Sequence, residues 1–268
     1  MNHSPCSKIF APVQPAACNA ADVRYMEVPP HAGLQGYIYC YWQLSTPVSL
    51  VAPFSYHVVA DGCIDIYFET ADPANIFIKG FSSVYTAFPL PAAFNYTGIR
   101  FLPAAFPLLY NINAATLTGR DERLKDVLPR HAAGITDVAQ RETSLAAIAF
   151  RLDEYFLKQT GNSKVHTDGR VWEAIDNICS SKGLQPLKEA TDTGISPRQL
   201  RRLFEFYVGD TPKVFSKVIR FQHFLHARPS AASIRQHKSF FDAGYSDQAH
   251  FIKEFKTMYG LTPTAAPK

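Results

Sequence analysis

Arg198, Arg201 and Arg202 stand at i, i+3 and i+4, and their types and spacing point more directly to a chemistry than any others in the chain. On an α-helix these positions share one face, so three guanidinium groups project together. A guanidinium fork fits guanine O6 and N7 and also holds phosphate oxygens, which makes this a recognition chemistry and not a catalytic one. The bland alternative is a solvated helix face. A second set, Ala249, Ile252 and Lys253 with Gln248 just ahead, repeats the spacing some fifty residues later with less charge. Ile252 suits either a thymine methyl group or packing on a neighbouring helix. Further upstream, Asp65, Tyr67 and Glu69 alternate with Ile64, Ile66 and Phe68, as in a strand with one polar and one apolar face. The polar face either lines a pocket or meets water. Tyr37, Tyr39 and Tyr41 share a face opposite Ile38, Cys40 and Trp42, suited to stacking on a flat or sugar-like ligand or to ordinary core packing. Arg100, inside the run GIRF, either meets an anionic effector or pairs with Asp65. Candidate ligand residues are therefore Tyr39, Asp65, Tyr67 and Arg100.

The elements that must carry the arginines are legible around them. Gly194 can take φ > 0 in a tight turn, Ser196 can cap a helix, and Pro197 fits its first turn. On that helix Leu200, Leu203, Phe204 and Tyr207 form the buried stripe. Leu187 to Thr193 supplies a short preceding helix with the small Ala190 at the crossing, which is helix-turn-helix geometry. The second copy has Gly244, Ser246, Phe251 and Phe255 in matching roles. Between the copies Thr211-Pro212 opens a helix whose Val214, Val218, Phe221 and Leu225 make one stripe joining two small bundles.

The region from about Trp172 to Pro263 resembles the DNA-binding domain of the AraC/XylS family of bacterial transcription regulators. GISPRQLRRLF, Gly209 to Lys213, RFQHFLHA at Arg220 to Ala227, AGYSDQAHFIKEFK at Ala243 to Lys256, and GLTP at Gly260 to Pro263 carry the likeness. It implies that Arg198, Arg201, Arg202, Gln248, Ala249, Ile252 and Lys253 face two successive major grooves of double-stranded DNA, and that RNA polymerase is a partner. Ser239-Phe240 departs from the family's usual Ile-Ala before the second turn, and a phenylalanine there crowds the helix crossing. DGCIDIYF, KGF, GIRFLPAAF and LTGRDERLKDVL resemble the cupin-like sensor domain of one AraC-type subfamily, which implies an unidentified small-molecule effector.

The runs RYMEV, GYIYCYWQLS, YHVVA, CIDIYFET, NIFIKGF and NYTGIRF read as strands separated by turns. The predicted fold is α+β: an antiparallel β barrel or sandwich with helices, then an all-α domain with two helix-turn-helix motifs. The divisions are a flexible arm over 1–22, a sensor domain over 23–159, a linker over 160–167 and a DNA-binding domain over 168–268. Pro103 and Pro107 restrict 101–115 to short helices or turns. Leu145, Ile148, Leu152 and Tyr155 repeat at 3-4-3 spacing over 143–159, fitting either a helix packed on its own domain or the seam of a homodimer.

Composition sets bounds. Across 268 residues the net charge is +4, but 15 Lys/Arg against 10 Asp/Glu from Asp168 onward place a net +5 there and −1 in the rest. No uninterrupted apolar run is long enough for a membrane span, and the first residues lack the pattern of a secretory signal. Five scattered cysteines without C-x-x-C spacing suggest neither a disulfide framework nor a zinc site, and the expected location is the cytoplasm. No G-x-S-x-G, P-loop or G-x-G-x-x-G is present, and His31 and His57 are too few for a metal-dependent cupin. An enzyme, a metal and a cofactor are therefore not expected. The competing function is a sensor acting through protein contacts with a degenerate helix-turn-helix domain.

Overall fold

Alternation of apolar and polar residues sends the strands of the N-terminal half into two antiparallel sheets, described here from a computed structural model covering residues 10–14, 22–160, 168–227, 244, 245 and 247–266. β1 (Arg24–Val28), β2 (Ile38–Ser45), β3 (Phe54–Val58), β4 (Ile64–Glu69), β5 (Asp72–Lys79), β6 (Thr86–Leu90), β7 (Asn95–Phe101) and β8 (Asp121–Arg123) follow in chain order. Six of them form one sheet in the order β1-β2-β7-β4-β5-β8, and β3 pairs with β6 as a separate hairpin. The arrangement is an open sandwich and not a closed barrel.

Each face of the large sheet has its own core. Ile66, Phe68, Ile78, Ile99 and Phe101, all at most marginally exposed, turn toward the helices, while Trp42, Leu44 and Tyr56 belong to a smaller cluster facing the hairpin. The helical layer contains α1 (Ala105–Tyr110), α2 (Leu124–Val127), α3 (Pro129–Ala139) and α4 (Leu145–Thr160). Pro107 falls in the first turn of α1, where its missing amide costs no hydrogen bond.

The C-terminal half is all-α: α5 (Gly169–Ser180), α6 (Leu187–Ala190), α7 (Pro197–Tyr207), α8 (Pro212–His226) and α9 (Gln248–Tyr259). Asp168 caps α5 by accepting from the Arg170 amide. Of the predicted linker only Thr160 is described, and it is the last residue of α4.

Two expectations change. Residues 10–14, part of the predicted flexible arm, are tied down: the Val13 amide donates to Gln222 Oε1 at 2.7 Å, and Gln14 Nε2 donates to Asp61 Oδ2 at 2.7 Å. A glutamine and two backbone groups find partners there that only the folded chain brings within reach. Cys179 is disulfide-bonded, which the scattered spacing did not suggest, whereas Cys40 and Cys63 are buried free thiols. Among the described residues no helix is long and apolar enough to cross a membrane, and no group of three or more His, Cys, Asp or Glu could hold a metal ion.

Candidate DNA-reading surface and sensor cavity

Gly194 takes φ 75° at the turn before α7, a conformation that side chains with a Cβ rarely adopt. Ser196 caps the helix by accepting from the Gln199 amide, and Pro197 occupies its first turn. Leu200, Phe204 and Tyr207 are buried, with Ala190 of α6 beneath them in the same core. The opposite side leaves Arg198, Arg201 and Arg202 exposed. Arg201 Nε donates to Glu205 Oε1 at 2.9 Å one turn on, so this arginine is held against the helix.

At the second copy Gly244 takes φ 74°, and the cap of α9 is Asp247, which accepts from the Ala249 amide at 2.9 Å. The expected cap Ser246, and the Ser239-Phe240 departure, lie outside the described residues. Ala249 and Lys253 are exposed, Gln248 is half-buried, and Ile252 is half-buried against the core. The packing alternative for Ile252 therefore holds at least in part.

Glu254 was not singled out in the sequence, yet it organises this motif. Its side chain is only 6% exposed and meets Lys217 Nζ at 2.7 Å and Arg220 Nη2 at 3.0 Å. Tyr245 Oη donates to it at 2.7 Å, and His250 Nε2 lies 3.6 Å away. Burial pushes its carboxyl up, but the hydrogen bonds from Lys217, Tyr245 and Arg220 win and hold it below the ordinary carboxylate value. The Arg220 guanidinium also covers the Tyr245 ring at 4.2 Å. A carboxylate inside the stripe Phe251, Phe255, Met258 was the available signal, because a buried acid requires cationic partners.

The second site is a cavity of about 270 Å³ between the large sheet and the β3–β6 hairpin. Trp42, Tyr56, Tyr67, Phe77, Phe88 and Tyr96 contribute rings, and Asp65, Lys79 and Arg100 contribute charge. Trp42 sits directly over Gly98, where an added Cβ would lie 2.2 Å from the indole. Asp65 is fully engaged: it accepts from Trp42 Nε1 at 3.1 Å and from Arg100 Nε and Nη2 at 3.2 and 2.9 Å. Burial pushes its carboxyl up and Asp61 adds to this, with Arg100 opposing. Arg100, 2% exposed, also lies 3.5 Å from Asp61. Burial alone would lower its pKa, but Asp65, Tyr25 and Asp61 raise it, so the guanidinium stays charged. Its Nη1 has no hydrogen-bond partner; Glu27 approaches it only to 4.0 Å.

Asp65, Tyr67 and Arg100 thus come together, Glu69 of the same strand face is exposed, and Arg100 pairs with Asp65. Tyr39 does not line the cavity. A register shift between Ile38 and Cys40 accompanies the change, and Tyr37 and Tyr41 point into the helix-facing core, leaving Trp42 and Leu44 on the cavity side. Burial raises the Cys63 and Cys40 thiols far above their ordinary value, which makes them unreactive as nucleophiles.

Residues 190–268 match the family model described as a helix-turn-helix domain, and residues 26–123 match a domain of unknown function, DUF6597. The C-terminal domain is an AraC-type helix-turn-helix domain. Among solved structures, ToxT from Vibrio cholerae O395 aligns at 12% identity with a TM-score of 0.38, covering 90% of this chain and 95% of that one. Unsaturated fatty acid bound wild-type ToxT from V. cholerae strain SCE256 gives 10% identity and 0.39, covering 90% and 92%. No curated protein matches the chain.

The AraC-type domain is docked on the β domain at several points. Ala60 N donates to Met258 O at 3.1 Å and Tyr85 N to Thr257 O at 3.0 Å, both at the end of α9. Gln222 Nε2 of α8 donates to Ala60 O at 2.7 Å, and Thr118 Oγ1 donates to Gly209 O at 2.7 Å. A Cβ placed on Gly62 would lie 3.6 Å from Phe215 and 3.7 Å from Val218, so α8 passes close to this turn. This explains why α8 buries Phe215, Ile219, Gln222 and Phe224 beyond the predicted stripe: it meets the β domain as well as its own bundle.

Leu145, Ile148 and Leu152 of α4 are buried in the chain's own core, and Tyr155 is half-buried with its hydroxyl 2.7 Å from His131 Nδ1. Packing on α3 and the sheet accounts for the 3-4-3 spacing without a second copy, so the dimerisation role considered for these four residues has no free surface on this side of α4.

Proposed function

We propose that the protein is a sequence-specific DNA-binding transcription regulator controlled by a small molecule held in the N-terminal cavity. One observation carries the reading: a properly turned and capped helix in an AraC-type domain exposes Arg198, Arg201 and Arg202 on one face. α7 supplies most contacts to guanine and phosphate, and α9 adds Gln248, Ala249, Ile252 and Lys253 in the next major groove. With the β domain docked, the three arginines and Lys253 remain exposed, so docking leaves the reading faces uncovered.

Control runs through the segment 59–63. Asp61 lies 3.5 Å from Arg100 at the cavity floor, and the adjacent Ala60 bonds both α8 and the end of α9. A ligand that moves Arg100 shifts the population of α8–α9 arrangements able to grip both grooves. RNA polymerase is the expected protein partner and the cytoplasm the expected location. A homodimer contact on α4 uses its outer side, where Phe150 is 61% exposed.

Selection of random duplex DNA on the purified chain tests this, followed by titration of the winner and a scrambled duplex across a salt series. Enrichment of a site spanning two successive major grooves, with discrimination that persists as salt weakens both complexes, is the expected result. Binding without sequence preference at every salt concentration overturns the reading.

A further inference from the structure

Resting on the reading of α7 and α9 as the two DNA-reading helices, we infer that the loop from Phe81 to Tyr85 sets the distance between them, with Tyr85 as a positioning residue for α9. It thereby determines which spacing of half-sites the protein accepts. The observation is one short loop at the C-terminal ends of both helices. Just past α7, Thr118 Oγ1 donates to Gly209 O at 2.7 Å, and a Cβ added to Gly209 would lie 3.0 Å from Phe81 Cβ. Phe81 is buried, and its carbonyl accepts from the Gly119 amide at 2.8 Å. At the other end of the loop the Tyr85 amide donates to Thr257 O at 3.0 Å. The Tyr85 ring lies against Gly260, where an added Cβ would come within 2.8 Å of its Cδ2.

Between these two contacts the chain has only Ser82, Ser83 and Val84, and Ser82 Oγ donates to Val84 O at 2.7 Å. So few residues bound how far the two ends can part. Thr257 and Met258 belong to the last turn of α9, where carbonyls have no partner inside the helix. The Tyr85 and Ala60 amides supply those partners at 3.0 and 3.1 Å. Farther back, Glu254 ties α9 to Lys217 and Arg220 of α8. That tie reaches α7 only through the connecting helix, whereas the loop runs directly between the ends of the two reading helices. Heads that read successive major grooves must keep register to within one base-pair rise, about 3.4 Å. A second tie at the end of α9 supplies that precision.

The test uses duplexes carrying the two half-sites returned by the selection experiment, at the selected spacing or with one base pair more or fewer between them. Each is titrated by anisotropy against the full-length protein. The parent is expected to favour the selected spacing about tenfold, while Tyr85→Ala and a variant with two glycines inserted after Ser83 bind all three spacings within about threefold. Tyr85→Phe keeps the ring and with it the parent's preference. Ile99→Val, in the core of the large sheet, lowers the melting temperature yet keeps that preference too, which separates positioning from a general loss of stability. Should the insertion variant not fold, Tyr85→Ala, at a residue 39% exposed, decides the matter. A spacing preference retained in Tyr85→Ala overturns the inference, and so does its loss in Ile99→Val. A selection that returns no two-part site is a different result, because it overturns the DNA-reading assignment on which the inference rests.

Discussion

Arg201 has two partners to choose between. In the free chain its Nε bonds Glu205 at 2.9 Å, and with a side chain 66% exposed that pair contributes little to stability. Its release for DNA is therefore cheap. Arg201→Ala should lose discrimination at one or two base pairs, each worth about 1–3 kcal/mol, while scrambled duplex binds nearly as before. Glu205→Gln should do the reverse and tighten binding to every sequence, adding about one to the salt slope. Both are read from filter-binding or anisotropy titrations of matched and scrambled sites. Glu254 makes the contrasting case, because its partners converge on a carboxylate in the interior. Glu254→Gln should cost about 1–3 kcal/mol at pH 7, seen as a lower melting temperature. The sign of the pH dependence follows from the lowered carboxyl: the stabilisation is full above the ordinary carboxylate value and is lost as pH falls through the lower folded-state value. The gap between parent and variant should thus close in acid, below about pH 4.

The elements differ in how much of their geometry was legible. Helix α7 was, because turn, cap and stripe sit within fourteen consecutive residues, from Gly194 to Tyr207, and every signal is local. Ser196→Ala should cost about 1 kcal/mol, measurable by denaturant titration, with no change in which site is selected. Strands β6 and β8 were not legible. Pro89 argues against a strand unless it lies at an edge, and β6 pairs only with β3. β8 is three residues long and exists through its pairing with β5. In β2 Tyr37 and Tyr41 lie in the core opposite Cys40 and Trp42, as alternation allows, but a register shift between Ile38 and Cys40 places Ile38 in that same core, which no local signal announced. That shift puts Trp42 over Gly98, and Gly98→Ala should cost about 1–3 kcal/mol by forcing the indole aside. A fall in melting temperature together with loss of ligand binding is the expected pair of results.

For the whole molecule the informative residue is Gln222, a polar side chain 2% exposed on the connecting helix. It joins Val13, Ala60 and the helix bundle at once. Gln222→Ala should leave DNA affinity close to the parent's but make it insensitive to effector, and should speed amide exchange at residues 13 and 59–63. Equal exchange in both proteins would sink the coupling route. The strand-rich half, the helical half, the capped helix α7 and its exposed arginines follow from sequence alone, because each depends on neighbours within one or two turns or on simple alternation. Only the folded chain decided that Arg100 and Asp65 share a cavity floor, that Asp61 links this floor to α8, and that Glu254 pins α9 to Lys217 and Arg220. Those pairs lie 34 to 162 residues apart. Local preference cannot specify such contacts; they arise when burial removes water and leaves each buried charge or amide only the partners that packing brings near.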